Sequence, residues 1–266
     1  MKVALIGIGR WGTVLKGELT KVAEVKYACD SSFDLDQVWS DPEVEAVFIA
    51  TPTETHFEIA QKALESGKHV FLEKPGTSSS ADLEKLVNLA QEKGLKLAVG
   101  YEFPHHPAVR KVKELALGQT IKFVRLEYQK WGTFKDSIVT NLLCHDVSIL
   151  NYLGIDTTSP SAHKTGFVTE ADILATRFGS QAMSVINRVN QLKQRTMLVK
   201  LDDTSFLWSN NDLFEIAGEE LKKIELPDTT PVAAEIKNFL DSIASGQEPL
   251  CSGSFALEVY KVIERV

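Results

Sequence analysis

The chain has 266 residues, 44% of them hydrophobic, and a formal net charge of -7, so it can bury the core of one large domain or two modest ones, while its acidity and the lack of a basic run with interleaved aromatics exclude a phosphate-backbone binder and leave nucleic acid an unexpected partner. Its cysteines, Cys29, Cys144 and Cys251, are odd in number and widely separated, without Cys-x-x-Cys spacing, so neither a disulfide framework nor a zinc knuckle is expected and a reducing cytoplasm fits. No apolar run approaches the roughly 20 residues that span a bilayer, and no targeting segment is read at the start, so a membrane is not an expected partner.

Lys2 to Ile6 has the length and branched content of a buried parallel strand, and Thr13 to Lys21 continues in helical register. Between them lies Gly7-Ile8-Gly9-Arg10-Trp11-Gly12, a G-x-G-x-x-G turn. Gly7 permits the tight turn, Gly9 the close approach of a pyrophosphate, and Gly12 the packing of helix on strand. No Lys-Ser or Lys-Thr follows Gly12, which excludes a P-loop. A second strand, Val22 to Cys29, ends at Asp30, near the offset of about 20 residues expected for the acid that binds a ribose. An aspartate there favours NAD and repels the 2'-phosphate of NADP.

Asp30 to Glu45 reads as a polar loop with at most one helical turn. Ala46 to Ala50 is the next buried strand, broken by Thr51-Pro52-Thr53 before an amphipathic helix from about Glu54 to Ser66. His69 to Leu72 is a strand, followed by Glu73-Lys74-Pro75-Gly76, a serine-rich N-cap region, a helix through Glu92, and a strand from Leu95 to Val99. Strand and helix alternate, which predicts a doubly wound parallel sheet with ligands at the carboxyl ends of its strands. After Gly118 the pattern turns to strands: Ile121 to Lys130, around Phe167, Ile173 to Arg177, Met183 to Arg188, Thr196 to Leu201 and Phe206 to Trp208. Helices are expected from about Ser137 to Leu153 and Ala233 to Ala244. The expectation is an α/β domain over residues 1–117 and an α+β domain with a largely antiparallel open sheet over 118–266.

The glycine turn, Thr51-Pro52 with His56, and the run Gly67-Lys68-His69-Val70-Phe71-Leu72-Glu73-Lys74-Pro75 together resemble the Gfo/Idh/MocA oxidoreductases, the glucose-fructose oxidoreductase and inositol dehydrogenase superfamily. His106-Pro107-Ala108-Val109-Arg110 and His145-Asp146-Val147-Ser148-Ile149-Leu150 further resemble its nucleotide-sugar branch. The resemblance implies a Rossmann domain followed by a domain whose open sheet mediates oligomers, a homodimer or homotetramer here. It also implies hydride transfer between a nicotinamide cofactor and a hydroxyl or ketone of a sugar, cyclitol or nucleotide sugar. Carried over, the catalytic lysine is Lys74 and the histidine of the later helix is His145; the family's aspartate four residues before that histidine is Asn141 here. Two further departures are the short adenine-flanking segment from Asp30 to Glu45 and the lack of an arginine after Tyr101, where Glu102, Phe103, Pro104 and His105 stand.

Oxidising an alcohol requires a base for the hydroxyl proton, and a lysine beside a cationic nicotinamide has its proton-accepting form favoured. Lys74 is assigned that role. His145 holds the substrate hydroxyl or shares the proton, with Asn141 able to hydrogen-bond without taking a charge; the alternative is a histidine packed among Leu142, Leu143, Val147 and Leu150. His105, His106, His145 and Asp146 match no compact metal-ligand spacing, so no metal is expected. The cofactor set is Gly7, Gly9, Arg10, Trp11, Gly12, Asp30, Thr51, Pro52, His56 and Glu73, although Thr51 could only cap, His56 only pack, and Arg10 only neutralise phosphate. Glu73 is expected to anchor its loop. The competing expectation is a dinucleotide-binding sensor or partner subunit with a decayed catalytic set.

Overall fold

The computed structural model describes residues Met1–Val266, which divide into two compact units: Met1–Glu102 with Thr230–Tyr260, and Phe103–Thr229 with Lys261–Val266. The first unit contains β1 (Lys2–Ile6), α1 (Arg10–Val22), β2 (Glu24–Cys29), α2 (Asp36–Ser40), β3 (Val44–Ile49), α3 (His56–Glu65), β4 (His69–Glu73), α4 (Ser80–Glu92) and β5 (Leu97–Gly100). The sheet order is β2-β1-β3-β4-β5 with every pair parallel. The period of two decides which residues meet which helices. Ala4, Ile6, Val47, Ile49, Val70 and Leu72 face α3 and α4, and Val3, Leu5, Ala46, Phe48 and Phe71 face Leu15 and Leu19 of α1. Ser79 caps α4, accepting from the Asp82 amide at 3.2 Å. The expected loop after Asp30 holds only the five-residue α2.

In the second unit α5 (Pro107–Leu115) is followed by β6 (Phe123–Trp131), a π-helical turn at Val139–Leu143, and α6 (Cys144–Leu153). The remaining strands are β7 (Pro160–Thr165), β8 (Ile173–Phe178), β9 (Ala182–Asn187), β10 (Val189–Lys200), β11 (Ser205–Ser209), β12 (Asp212–Ala217) and β13 (Glu220–Ile224). They form one sheet, β13-β12-β11-β10-β6-β9-β8-β7, antiparallel except for the parallel pair β6 and β9. Leu126, Ser184, Met197 and Trp208 are buried on one face, while Met183, Val185, Leu198, Leu207 and Phe214 on the other are half-buried.

The chain then returns to the first unit. In α7 (Pro231–Ser245) Val232, Ile236 and Phe239 pack into the core beside Phe48 and Phe71. The segment before α8 (Gly253–Ile263) lies along the outer edge of β5, with the Val99 amide donating to the Cys251 carbonyl at 2.9 Å. The expectation is one boundary near residue 117; the two compact units exchange chain after residues 102, 229 and 260, and the return after 229 follows from the apolar stripe of α7, which completes the parallel-sheet core. Around Phe167 the expected strand is a loop: β7 ends at Thr165, and Phe167 and Val168 stand exposed. The Asp172 carboxylate gathers the amides of Phe167, Val168 and Thr169 in place of a strand partner. Strands β12 and β13 and helices α5 and α8 were not anticipated; β13 is short, with only Leu221 and Ile224 apolar and those three residues apart, so period-two reading has little to work on. No helix is long and apolar enough to cross a membrane.

Candidate active site

The glycine turn is built from backbone. Gly7 has φ +91°, and a Cβ placed on it would lie 2.6 Å from the Ala50 carbonyl oxygen. A Cβ on Gly12 would lie 1.8 Å from the Gly7 oxygen, so α1 and β1 touch through hydrogen alone. Gly9 meets nothing within 4 Å, leaving its backbone open to an approaching group. No side chain caps α1, so its first amides remain available to an anion. This arrangement fits a pyrophosphate. Ile8, Trp11 and Val14 are partly exposed around it, Trp11 and Val14 sharing one side of the helix, and give the turn an apolar lip.

The Gly7 amide donates to the Cys29 carbonyl at 2.9 Å, which sets the turn against the end of β2, where Asp30 follows. Asp30 Oδ1 accepts from the Ser32 amide at 2.9 Å and the Ser32 hydroxyl at 2.7 Å. These bonds hold the exposed carboxyl below its usual range and aim it. At the end of β3, His56 is buried, with Nε2 2.8 Å from the Thr51 oxygen and Nδ1 3.0 Å from the Gly76 oxygen. Burial lowers its pKa, and the neutral ring can donate to only one of the two carbonyls. His56 therefore ties the loop after β3 to the loop after β4, the packing alternative for this residue. The Thr51 hydroxyl accepts from that of Thr55 at 2.8 Å, while the Pro52 carbonyl accepts the Thr55 amide.

Glu73 ends β4, and Lys74 follows it with a cis bond to Pro75. The Trp11 indole donates to Glu73 Oε1, and the Lys74 amide donates to Oε2 at 3.2 Å. The glycine turn and the Glu-Lys-Pro loop are thus joined by a side-chain hydrogen bond. Burial pushes the Glu73 carboxyl up to about 7, against the Trp11 hydrogen bond and the Lys74 charge. Gly7, Gly9, Arg10, Trp11, Gly12, Asp30, Thr51, Pro52, His56, Glu73 and Lys74 all belong to the carboxyl end of the first unit's sheet or its glycine turn.

His145 and Asn141 belong to the second unit, at the junction of the π turn with α6. The Asn141 amide donates to Asp136 Oδ2 at 3.1 Å. His145 is buried, with Phe103 edge-on at 5.0 Å between ring centroids. Around it lies a cage that motif reading did not find. The Arg195 guanidinium sits 4.2 Å from the ring centroids of both Phe103 and Tyr128 and donates to the fully buried Asp146 carboxylate, which also accepts from Ser184 Oγ at 2.6 Å. His106 packs on Trp208 at 4.5 Å and caps α5, its Nδ1 accepting the Ala108 amide at 3.2 Å. Burial, helped by Arg195, brings His106 down to about 4; burial, helped by Arg110, brings His105 to about 3. Both rings are neutral at physiological pH. The available signal for Arg195 was phase: it stands in register with the buried Met197 and Val199 of β10.

Residues 14–101 match a sequence model of the Gfo/Idh/MocA oxidoreductase family, NAD-binding Rossmann fold. The chain is 29% identical over 231 residues to UDP-N-acetylglucosamine 3-dehydrogenase of Acidithiobacillus ferrooxidans, covering 79% of this chain and 74% of that one. A solved structure of that dehydrogenase superposes with a TM-score of 0.91 at 25% identity, over 100% of this chain and 96% of the other. A shorter stretch of 108 residues is 37% identical to dTDP-3,4-didehydro-2,6-dideoxy-alpha-D-glucose 3-reductase of Streptomyces violaceoruber, covering 41% of this chain and 32% of the reductase. An Agrobacterium radiobacter oxidoreductase solved with NAD+, L-tartaric acid and magnesium shares the fold, with a TM-score of 0.83 at 16% identity, over 99% of this chain and 94% of the other.

Proposed function

The chain belongs to the Gfo/Idh/MocA family of oxidoreductases, and on that premise we propose that it transfers a hydride between NAD and a hydroxyl or ketone carbon of a sugar, with a nucleotide sugar as the preferred class and Lys74 as general base and acid. The observation that carries this reading is the hydrogen bond from the Trp11 indole to Glu73, which fixes the Lys74 backbone beside the glycine turn. The nicotinamide, when bound, supplies or accepts the hydride. The amides at the start of α1 hold the pyrophosphate, Gly9 leaves the space for it, and Asp30 takes the ribose hydroxyls and disfavours NADP. Lys74 takes the hydroxyl proton as the carbonyl forms, and returns it in the reverse direction. His145, in the second unit, is the further candidate to hold a substrate hydroxyl. The nucleotide-sugar preference rests on two relatives whose names carry such substrates.

A second reading is a dinucleotide-binding sensor or partner subunit. It draws on Asn141, which cannot carry the charge of the family's aspartate and whose amide is engaged with Asp136. Turnover decides between the two: a panel of inositols, free sugars and sugar nucleotides, UDP-N-acetylglucosamine among them, is followed by nicotinamide absorbance. Oxidation of at least one member with NAD is expected, and NAD binding without turnover on any of them favours the sensor.

The protein also self-associates, in this reading, as a dimer or tetramer through the second sheet's half-buried apolar face of Met183, Val185, Leu198, Leu207 and Phe214. Sedimentation as a monomer at micromolar concentration would overturn that. Three buried free cysteines accord with a reducing cytoplasm.

A further inference from the structure

No motif marks Glu235. It lies on α7 in phase with Val232, Ile236 and Phe239, on the stripe that faces the parallel sheet, and only 2% of it is exposed. Neither carboxyl oxygen has a hydrogen-bond partner. A buried carboxylate with no donor is among the most costly groups a core can hold, so the residue has to be kept as the neutral acid. A leucine at this position would cost nothing of the kind, which makes the acid's presence informative.

Its neighbours follow from the two periodicities. Phe239 packs on Phe71, with ring centroids 5.6 Å apart. Glu235 is one helical turn before Phe239, and Glu73 is two residues after Phe71 on the same side of β4. The two carboxyls thus share the contacting sides of helix and strand, and the Glu73 charge acts on Glu235. Burial raises the Glu235 carboxyl well above its usual range, with the Glu73 and Glu102 charges adding to it. Cys251, whose thiol is raised by burial and by Glu235, packs on the same site and reaches the Tyr101 carbonyl at 3.5 Å. Lys74 is the cation that acts on Glu73, and Glu102 the further acid. There is no room to spare at Glu73: a Cβ on Gly100 would lie 3.1 Å from its Oε1.

We propose that Glu235 is a positioning residue of the nicotinamide site, forming with Glu73 a buried carboxyl pair that gives up protons when a cationic nicotinamide binds beside Lys74 and keeps them when the ring is neutral. The proposal rests on the placement of Lys74 argued under Proposed function. Each proton goes to solvent on binding of the oxidised cofactor and is recovered from solvent on its reduction. Because each ionisation makes the next harder, the pair loses its protons in two separate steps. The Trp11 indole favours the first of these by donating to Glu73 Oε1. Glu235 governs the second, and so sets the pH above which the pair becomes a dianion.

Calorimetric titration with NAD+ in pairs of buffers of different ionisation enthalpy counts the protons released. The protein is the full chain carrying Lys74→Met, so that the lysine's own titration does not contribute. Release is expected in two pH bands, the lower one displaced upward from the Glu73 titration of the unsubstituted chain because the Lys74 charge that favours the carboxylate is gone, the second at higher pH, with NADH releasing far less in both. Adding Glu235→Gln should abolish the alkaline band and leave the lower one in place, whereas Glu73→Gln should remove the lower band. A single band in the parent, or two bands surviving Glu235→Gln, overturns the pair alone. Absence of NAD+ binding overturns the cofactor reading and the pair's response with it, whereas binding without turnover on any sugar overturns only the enzymatic reading. Should Glu235→Gln fail to fold, infrared titration of the free protein decides: a protonated carboxyl stretch present at neutral pH and lost in two steps supports the pair, and its absence overturns it.

Discussion

The open turn at Gly7 to Gly12 and the buried cage around Arg195 are both polar sites, built from opposite materials. In the first, contacts run from backbone to backbone, and each requirement falls on one position: no Cβ at Gly7 or Gly12, and open space at Gly9. In the second, Phe103, Tyr128, Asp146, Ser184 and Arg195 converge from five parts of the chain, and no one of them dictates its neighbours in sequence. A site made of backbone writes a local signature; a site made of side chains writes only a charge in an apolar phase.

The largest expected effect tests the first region. Lys74→Met keeps the aliphatic stem and removes the proposed proton acceptor, so NAD binding should persist while turnover falls by about 10² to 10⁴ fold. Calorimetry and nicotinamide absorbance separate the two. Full turnover in the variant would move the base to the second unit, with His145 the residue to examine next.

Asp146→Ala probes the cage. It leaves the Arg195 cation buried between two rings with its partner gone, and breaking such a pair costs about 3 to 5 kcal/mol. The loss should appear in urea unfolding monitored over second-unit peptides by hydrogen exchange. If the cage is chiefly structural, NAD affinity stays at the parent value, since every residue of the proposed dinucleotide contact set is in the first unit. A large fall in NAD affinity with little loss of stability would contradict this division of roles.

Much of the first unit was legible because its sheet is buried on both faces. Residues 3–6 of β1 and 46–49 of β3 are continuous apolar runs, and Gly7, Asp30 and Glu73 each stand where a strand stops. His56 illustrates the limit: its position after β3 was readable, but its use as a tie between the Thr51 and Gly76 carbonyls depends on a loop twenty residues further on. In the second unit the strands were readable from alternation only where one face is apolar. Arg195 and Glu235 were visible as charges in phase with buried neighbours, without any indication that one meets a carboxylate and the other meets an acid.

The two regions should also respond to pH in opposite directions. Glu73 is raised from 4.5 to about 7, so between those values the folded state holds more proton than the unfolded one and stability falls as pH rises. His106 is lowered from 6.5 to about 4 and His105 from 6.5 to about 3. Below 6.5 the unfolded chain takes up protons that the folded one does not, so stability falls as pH drops through that window. In the first unit the buried His56, whose pKa is lowered, opposes Glu73. Hydrogen exchange at pH 5 and pH 8 should therefore find the peptide over Glu73 better protected at the lower pH in a His56→Gln background, and the peptide over His105 and His106 better protected at the higher. A common direction at both sites would break the comparison.

The smallest expected effect lies at the edge of the backbone-built site, where one side chain is proposed to discriminate between two cofactors. Asp30 directs a carboxylate held by the Ser32 amide and hydroxyl, and no arginine or lysine occurs among residues 31–45 to receive a 2'-phosphate. Repulsion of that phosphate should make NAD the tighter ligand. Because the carboxylate is exposed and screened by solvent, the discrimination it supplies is modest, and Asp30→Ala should narrow the ratio of NADP to NAD dissociation constants by roughly tenfold. The change should arise mostly from tighter NADP binding, with a smaller loss for NAD as the ribose hydroxyls lose their acceptor. Salt distinguishes this from a shape effect: raising ionic strength should narrow the ratio in the parent and leave it nearly unchanged in Asp30→Ala. Equal affinity of the parent for both cofactors at low salt would mean that the short segment after β2 leaves the adenosine end too open for Asp30 to act.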